Sequence, residues 1–225
     1  MADPTTHSAE VFAANAHLYD GWFDQPKGQA LFEKERQCLA QLKAGLSGTW
    51  LEVGVGSGRF AHALGVTHGI DPAQPLLELA RARGIQTTCG QGEHLPYPDE
   101  SFDGVLMVCT ICFVRQANEV LKQCARVLKP GGHLLIGFVP ADSAWGAHYR
   151  AKAQAGHTFW ACAQFFTQDQ LVALGKEAGL VLVKEAACEL PLPADASVQA
   201  PTNDPSLTVS APAGFSGLLF ERPEL

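Results

Sequence analysis

The segment LEVGVGSGRF at residues 51–60, followed by GID at residues 69–71, constrains this 225-residue chain more than any other. An apolar strand-like run enters three glycines, a helical stretch follows, and a second apolar run ends in an acid. Parallel neighbours cannot be joined by a tight hairpin, so this order requires a helical crossover between two strands of one sheet. Glycines at the turn let the backbone approach a ligand, and the acid stands at the carboxyl end of the next strand, where open sheets of this kind bind.

The same alternation continues along the chain. Strands are expected at Thr49 to Val53, Val66 to Ile70 with Asp71 at its end, Ile85 to Cys89, Gly104 to Val108 and His133 to Val139. Helices fall between them, at Arg59 to Leu64, through Leu76, Leu77, Leu79 and Ala80, and at Gln116 to Leu128, where Lys129-Pro130-Gly131-Gly132 is a stop signal. Ser8 to Leu46 reads as helical, broken by Gln25-Pro26-Lys27-Gly28, and Pro140 to Phe165 as irregular and aromatic. A capped helix, Gln168 to Ala178, precedes a strand at Leu180 to Glu185, and the last apolar run, Phe215 to Phe220, is expected to return to the sheet edge. The expected class is α/β: one Rossmann-like doubly wound sheet, mostly parallel with an antiparallel last strand, plus an N-terminal helical annex. Residues 1–225 read as a single domain, with the annex or lid at 1–48, a ligand-binding core at 49–139, and an insert, helix and strand at 140–190. A Pro/Ser/Ala-rich excursion and the last strand occupy 191–225.

The glycines choose among adenosine ligands. A dinucleotide fingerprint has glycine at its first, third and sixth positions, whereas here Gly54, Gly56 and Gly58 are followed by Arg59 at the sixth. Glu52, just before them, is unfavourable beside two phosphates and acceptable beside a cation. Both features point to S-adenosylmethionine, which carries a sulfonium and no phosphate. A plain strand-to-helix loop and a nicotinamide site remain as alternatives for the motif alone.

Charge and composition exclude other classes. Sixteen basic against twenty-three acidic residues leave a net charge of -7, with no basic patch for a phosphate backbone, so no nucleic-acid partner is expected. The N-terminus has no basic-then-apolar leader and no stretch is long enough to span a bilayer, so a cytoplasmic protein without membrane insertion is expected. Seven scattered cysteines read as reduced thiols. Cys109 and Cys112 form a CxxC without a second pair or a histidine at ligand spacing, so they read as small buried hydrophobes and no metal site is expected. Asp99, Glu100 and Asp103 read as a turn, and His133 as structural.

Taken together, LEVGVGSGRF, GIDPA, GQGEHLPYPDESFD and RVLKPGGHLLIGF resemble the class I S-adenosylmethionine-dependent methyltransferases, in particular the small-molecule branch that includes ubiquinone and menaquinone biosynthesis enzymes. The resemblance implies that Gly54, Gly56 and Gly58 pass beneath the methionyl part of the cofactor with Glu52 beside it. It implies that Asp71 accepts from both ribose hydroxyls, that Ala73 lies near the adenine, that Gln91, Gly92 and Glu93 form the loop reading the adenine edge, and that Cys109 touches the methionyl chain. Many relatives have aspartate where Gln91 stands, and Thr110, Ile111 and Cys112 replace a frequent histidine.

Methyl transfer to a small-molecule acceptor is the function this implies. The cofactor supplies the leaving group, so dedicated catalytic side chains can be few. Acceptor-side candidates are Tyr19 and Trp22 in the annex, as an aromatic lid over a cation, and His148 and Tyr149 in the insert, to orient or deprotonate the acceptor. Thiol or metalloid methylation, an NAD(P)-dependent oxidoreductase and a non-catalytic cofactor-binding domain are the alternatives.

Overall fold

A computed structural model describes residues 4–191 and 213–224. Three helices, α1 (Pro4–Ala14), α2 (Ala16–Trp22) and α3 (Pro26–Lys43), form the annex, with Pro26 at the first turn of α3 where its missing N–H costs no bond. Then β1 (Trp50–Val53), α4 (Arg59–Leu64), β2 (His68–Asp71), α5 (Gln74–Ala82), β3 (Gln86–Cys89), β4 (Phe102–Val108), α6 (Ala117–Val127) and β5 (Leu128–Phe138) alternate as the sequence predicts. The chain closes with α7 (Ala144–Gln154), a short 3-10 turn (Trp160–Cys162), α8 (Gln168–Glu177), β6 (Val181–Glu189) and β7 (Ala213–Glu221). The seven strands lie in the order β3-β2-β1-β4-β5-β7-β6, the first five parallel and β7 antiparallel to both its neighbours.

Alternate side chains of the central strands feed two cores. Val105 and Met107 of β4 and Leu134 and Ile136 of β5 pack under α6 and α8. Leu106, Val108 and Leu135 face α3, α4, α5 and α7 instead. Each such fully buried side chain stabilises by about 1.5–3 kcal/mol relative to exposure, so the apolar runs of β4 and β5 are explained by burial on both faces. Glu52 lies between Leu51 and Val53 on β1 and, by the same alternation, points to the α4 side.

Three expectations need correction. Lys129–Gly132 does not precede the strand but is a bulge within β5: pairing slips between Phe102↔Leu128 and Gly104↔His133, and Lys129 Nζ reaches Asp103 at 2.7 Å. Residues 144–154, expected to be irregular, form α7. Its apolar side chains face both the sheet, through Trp145, and a cavity, through His148 and Tyr149, so no single stripe marks the helix; the Ser143 side chain caps it by accepting from Gly146 N at 3.0 Å. Finally, β7 is not the edge. It sits between β5 and β6, and β6 takes the edge with Val181 and Val183 exposed and Lys184 and Glu185 among them, a charged border that discourages further pairing. The Pro/Ser/Ala-rich excursion lies, from 192 to 212, outside the described residues. Among the described residues no helix is long and apolar enough to cross a membrane.

Candidate active site

The carboxyl ends of β1, β2 and β4 open into a cavity of about 440 Å³, roofed by the annex and α7. Asp71, at the end of β2, is buried at its floor. Its Oδ2 accepts from Gly56 N at 2.9 Å and its Oδ1 from Ala73 N at 2.8 Å, which fixes the carboxylate while leaving a lone pair on each oxygen. Burial pushes its pKa up to about 6 and the two amides pull against that, so it is ionised at neutral pH.

The glycine turn explains itself locally. Gly56 has φ +50°, and a Cβ there would enter the cavity, 3.7 Å from the Tyr19 ring. Gly54 has φ +73°, and a Cβ would collide with the Thr110 side chain, whose hydroxyl donates to Gly54 O at 3.2 Å. Cys109, beside Thr110, is held at φ +51°, a left-handed conformation that costs a non-glycine residue about 1–3 kcal/mol and marks the rim of the cavity. Its thiol is pushed well up by burial and so stays neutral, as does Cys112, pushed up to about 12. Among the described residues no cluster of histidine, cysteine or acids could hold a metal ion.

Of the residues singled out from sequence, Gly54, Gly56, Asp71, Gln91, Gly92, Glu93 and Cys109 line the cavity together with Tyr19, Trp22, His148 and Tyr149. Glu52, Gly58 and Ala73 do not. Glu52 is buried beneath the turn, with burial raising its pKa well above the usual carboxylate range against the Ala61 amide at the start of α4; its Oε2 has no partner among the described residues. Gly58 packs on Ala80 of α5, and Ala73 contributes its amide to Asp71. Glu93 accepts from Arg115 N at 2.9 Å through Oε1, while its other oxygen is buried without a partner among the described residues. A buried acceptor left open on a cavity wall fits a ligand that brings donors, as ribose hydroxyls and an adenine amino group do.

Opposite Asp71 the walls are aromatic. Phe12, Tyr19 and Phe23 make edge-to-face contacts at 5.3 and 5.5 Å, and Tyr149 stacks on Trp160 at 3.9 Å. Burial drives both tyrosine pKa values far above the ordinary phenol range, so each remains a hydrogen-bond donor and not a base. Arg59, the residue that breaks the dinucleotide spacing, turns to the annex: Asp20 receives its Nε at 2.7 Å and Asp24 its Nη2 at 2.9 Å, and Arg83 joins Asp20 at 2.8 Å. Burial would raise Asp20, but hydrogen bonds from Arg59, Ser57 and Arg83 outweigh it and hold the carboxyl well below its usual range. The Asp99–Arg126, Asp103–Lys129 and Glu100–Arg222 pairs account for the three acids around the start of β4, away from the cavity wall.

Sequence reading missed Glu35. It lines the cavity from α3, and burial, reinforced by the Cys188 thiol, pushes its pKa up to about 8. The signal was present: Leu31, Cys38, Leu39 and Leu42 are the buried stripe of α3, and Glu35 falls on the same face four residues after Leu31.

The sequence matches the family described as Methyltransferase domain over residues 51–136. It is 33% identical to an uncharacterized protein of Methanocaldococcus jannaschii, over 77% of this chain and 82% of that protein. It is also 35% identical to an uncharacterized protein of Mycobacterium tuberculosis over 80% of this chain, a match that spans 64% of the relative's length. A crystal structure from Thermotoga maritima, described as an S-adenosylmethionine-dependent methyltransferase and possible histamine N-methyltransferase, superposes with a TM-score of 0.80 at 29% identity, covering 96% of this chain and 99% of that one. With this fold, glycine turn and carboxylate floor, the chain carries a methyltransferase domain of the kind whose cofactor is S-adenosylmethionine.

Proposed function

We propose that this chain transfers the methyl group of S-adenosylmethionine to a small molecule held between the annex and α7. The observation that carries the reading is the continuity of one cavity, from the Asp71 carboxylate and the Gly56 cradle to the ring-lined chamber under Tyr19 and Tyr149. Asp71 would hold the ribose hydroxyls. The open Glu93 oxygen and the Gln91 side chain would take the adenine end, and Gly54, Gly56 and Cys109 the methionyl end. The cofactor supplies an electrophilic methyl on a positively charged sulfur, so what the chain must provide is alignment, a dry site and ring faces that tolerate a cation. A net charge of -7 and an apolar chamber favour a small acceptor over a nucleic acid.

The test is calorimetry with S-adenosylhomocysteine followed by a radiolabelled methyl screen over amines, thiols, phenols and carboxylates. Saturable binding that weakens sharply in Asp71→Asn, with label transferred to at least one class, is expected. Absence of binding at millimolar ligand overturns the reading.

A further inference from the structure

Among the described residues three acids line the cavity, and Glu35, on α3, is the one that lies beside both Tyr19 and Tyr149 without a hydrogen-bond partner. The other two acids are held in place by backbone amides, Asp71 by Gly56 and Ala73 and Glu93 by Arg115, and stand at the end proposed for the nucleoside. Among the described residues Glu35 has no hydrogen-bond or ion-pair partner of its own, although it lies close enough to Cys109 and Tyr19 to raise the cost of charging either. Tyr19 lies 3.7 Å from the position a Cβ would take at Gly56, at the end proposed for the methionyl group. The groups facing Glu35 are the Cys188 thiol from β6, Tyr149 from α7, Cys109 after β4, Tyr19 from α2 and, one turn on along α3, Cys38. None of these is a cation; of the two lysines on the cavity wall, Lys27 places its Nζ over the Trp145 ring at 5.8 Å and Lys152 lies beside His157.

A carboxylate among ring faces with no cation of its own is complementary to an ammonium group, which both the charge and the ring quadrupoles attract. A carboxylate-bearing acceptor would face a second acid there, and an uncharged thiol or phenol would gain a hydrogen bond but no ion pairing. We infer that Glu35 binds the methyl acceptor, that the acceptor is an amine entering as its ammonium form, and that Glu35 removes the proton that occupies the nitrogen lone pair. This deepens the methyl-transfer reading and rests on it. An N–H proton passes to a Glu35 oxygen, and the freed nitrogen pair forms the N–C bond. The C–S pair remains on sulfur, leaving a neutral thioether and a methylated ammonium, and Glu35 returns its proton to solvent.

The test uses the full chain loaded with S-adenosylhomocysteine, titrated with phenethylamine, benzylamine and tryptamine near neutral pH in buffers of different ionisation enthalpy. Because Glu35 is largely protonated before binding, an ammonium ion should expel close to one proton; in Glu35→Gln the release should vanish and amine affinity fall by about thirtyfold, while S-adenosylhomocysteine affinity stays within about twofold. In the methyl screen, amines should be the labelled class, and the acid-side break of kcat/KM near pH 8 should disappear in Glu35→Gln. Amine binding and turnover unchanged in Glu35→Gln, label appearing on thiols, phenols or carboxylates but not amines, or no binding by any of the three amines overturns the inference and leaves methyl transfer standing. Loss of S-adenosylhomocysteine binding by the unaltered chain is a separate result, which removes both.

Discussion

At the cofactor end of the cavity a ligand would meet the Asp71 and Glu93 carboxylates and the glycine turn, supplied by the end of β2 and by the segments that follow β1 and β3. At the acceptor end it would meet rings and an acid from the N-terminal helices α1, α2 and α3 and from α7, about a hundred residues further on, which packing alone brings together. The first end is rigid by construction, since Asp71 is pinned by two amides and the glycines occupy conformations other residues adopt at a cost. The second depends on how the annex is docked. Arg59 links them: it stands at the start of α4, directly after the glycine turn, yet its guanidinium is held by Asp20 and Asp24 of the annex.

The largest effect is expected at the rigid end. Asp71→Asn keeps the shape but weakens charge-assisted bonds to both ribose hydroxyls, so S-adenosylhomocysteine affinity should fall about a hundredfold or more by calorimetry. If it changes less than threefold, the ligand does not sit on Asp71 and the division into two ends fails. Next, Asp20→Ala leaves Arg59 and Arg83 without their shared acid and should cost about 2 kcal/mol, read as a lower Tm and a raised acceptor KM with cofactor affinity nearly kept. An equal loss of cofactor affinity would show that the annex shapes both ends.

A smaller effect is a slope. Glu35 is raised from 4.5 to about 8 in the folded chain, so between those values the folded state holds a proton that the unfolded state has lost. Its contribution is therefore complete below pH 4.5 and declines as pH rises to about 8. Asp71, raised from 3.8 to about 6, declines over a lower window. Thermal melts across pH 6 to 8 should accordingly fall by about 1–2 kcal/mol in the native chain, after allowing for solvent in the cavity, and flatten in Glu35→Gln. A parallel slope in the variant would place the titration elsewhere. The smallest effect belongs to Cys112→Ser, since a neutral buried thiol contributes packing; turnover within about threefold is expected, and a complete loss would revive a thiol role.

The same contrast decides what could be read from sequence. The β-α alternation, the short helix at Arg59–Leu64 and the acid at Asp71 were legible because each depends on neighbours within a few residues. So was the antiparallel last strand. Its place inside the sheet was not, since strand order is set by which edge of β5 offers the better apolar partner, here Leu134↔Phe220 and Ile136↔Leu218. Helix α7 was missed because two faces of it are covered, which removes the stripe that periodicity detects. Glu35 was missed for a related reason: a glutamate among Lys34 and Arg36 reads as solvated until the buried face of α3 is known.

The interior position of β7 has an implication for how the molecule comes into being. Of the seven strands it is the last to be synthesised, yet it closes the hydrogen-bonding edge of β5 and presents the only described partner to β6. Until residue 221 has emerged, β5 carries an open apolar margin beside a finished glycine turn. A nascent chain could thus acquire its nucleoside floor early while remaining prone to misassociation, a window in which chaperone protection or ligand would matter most.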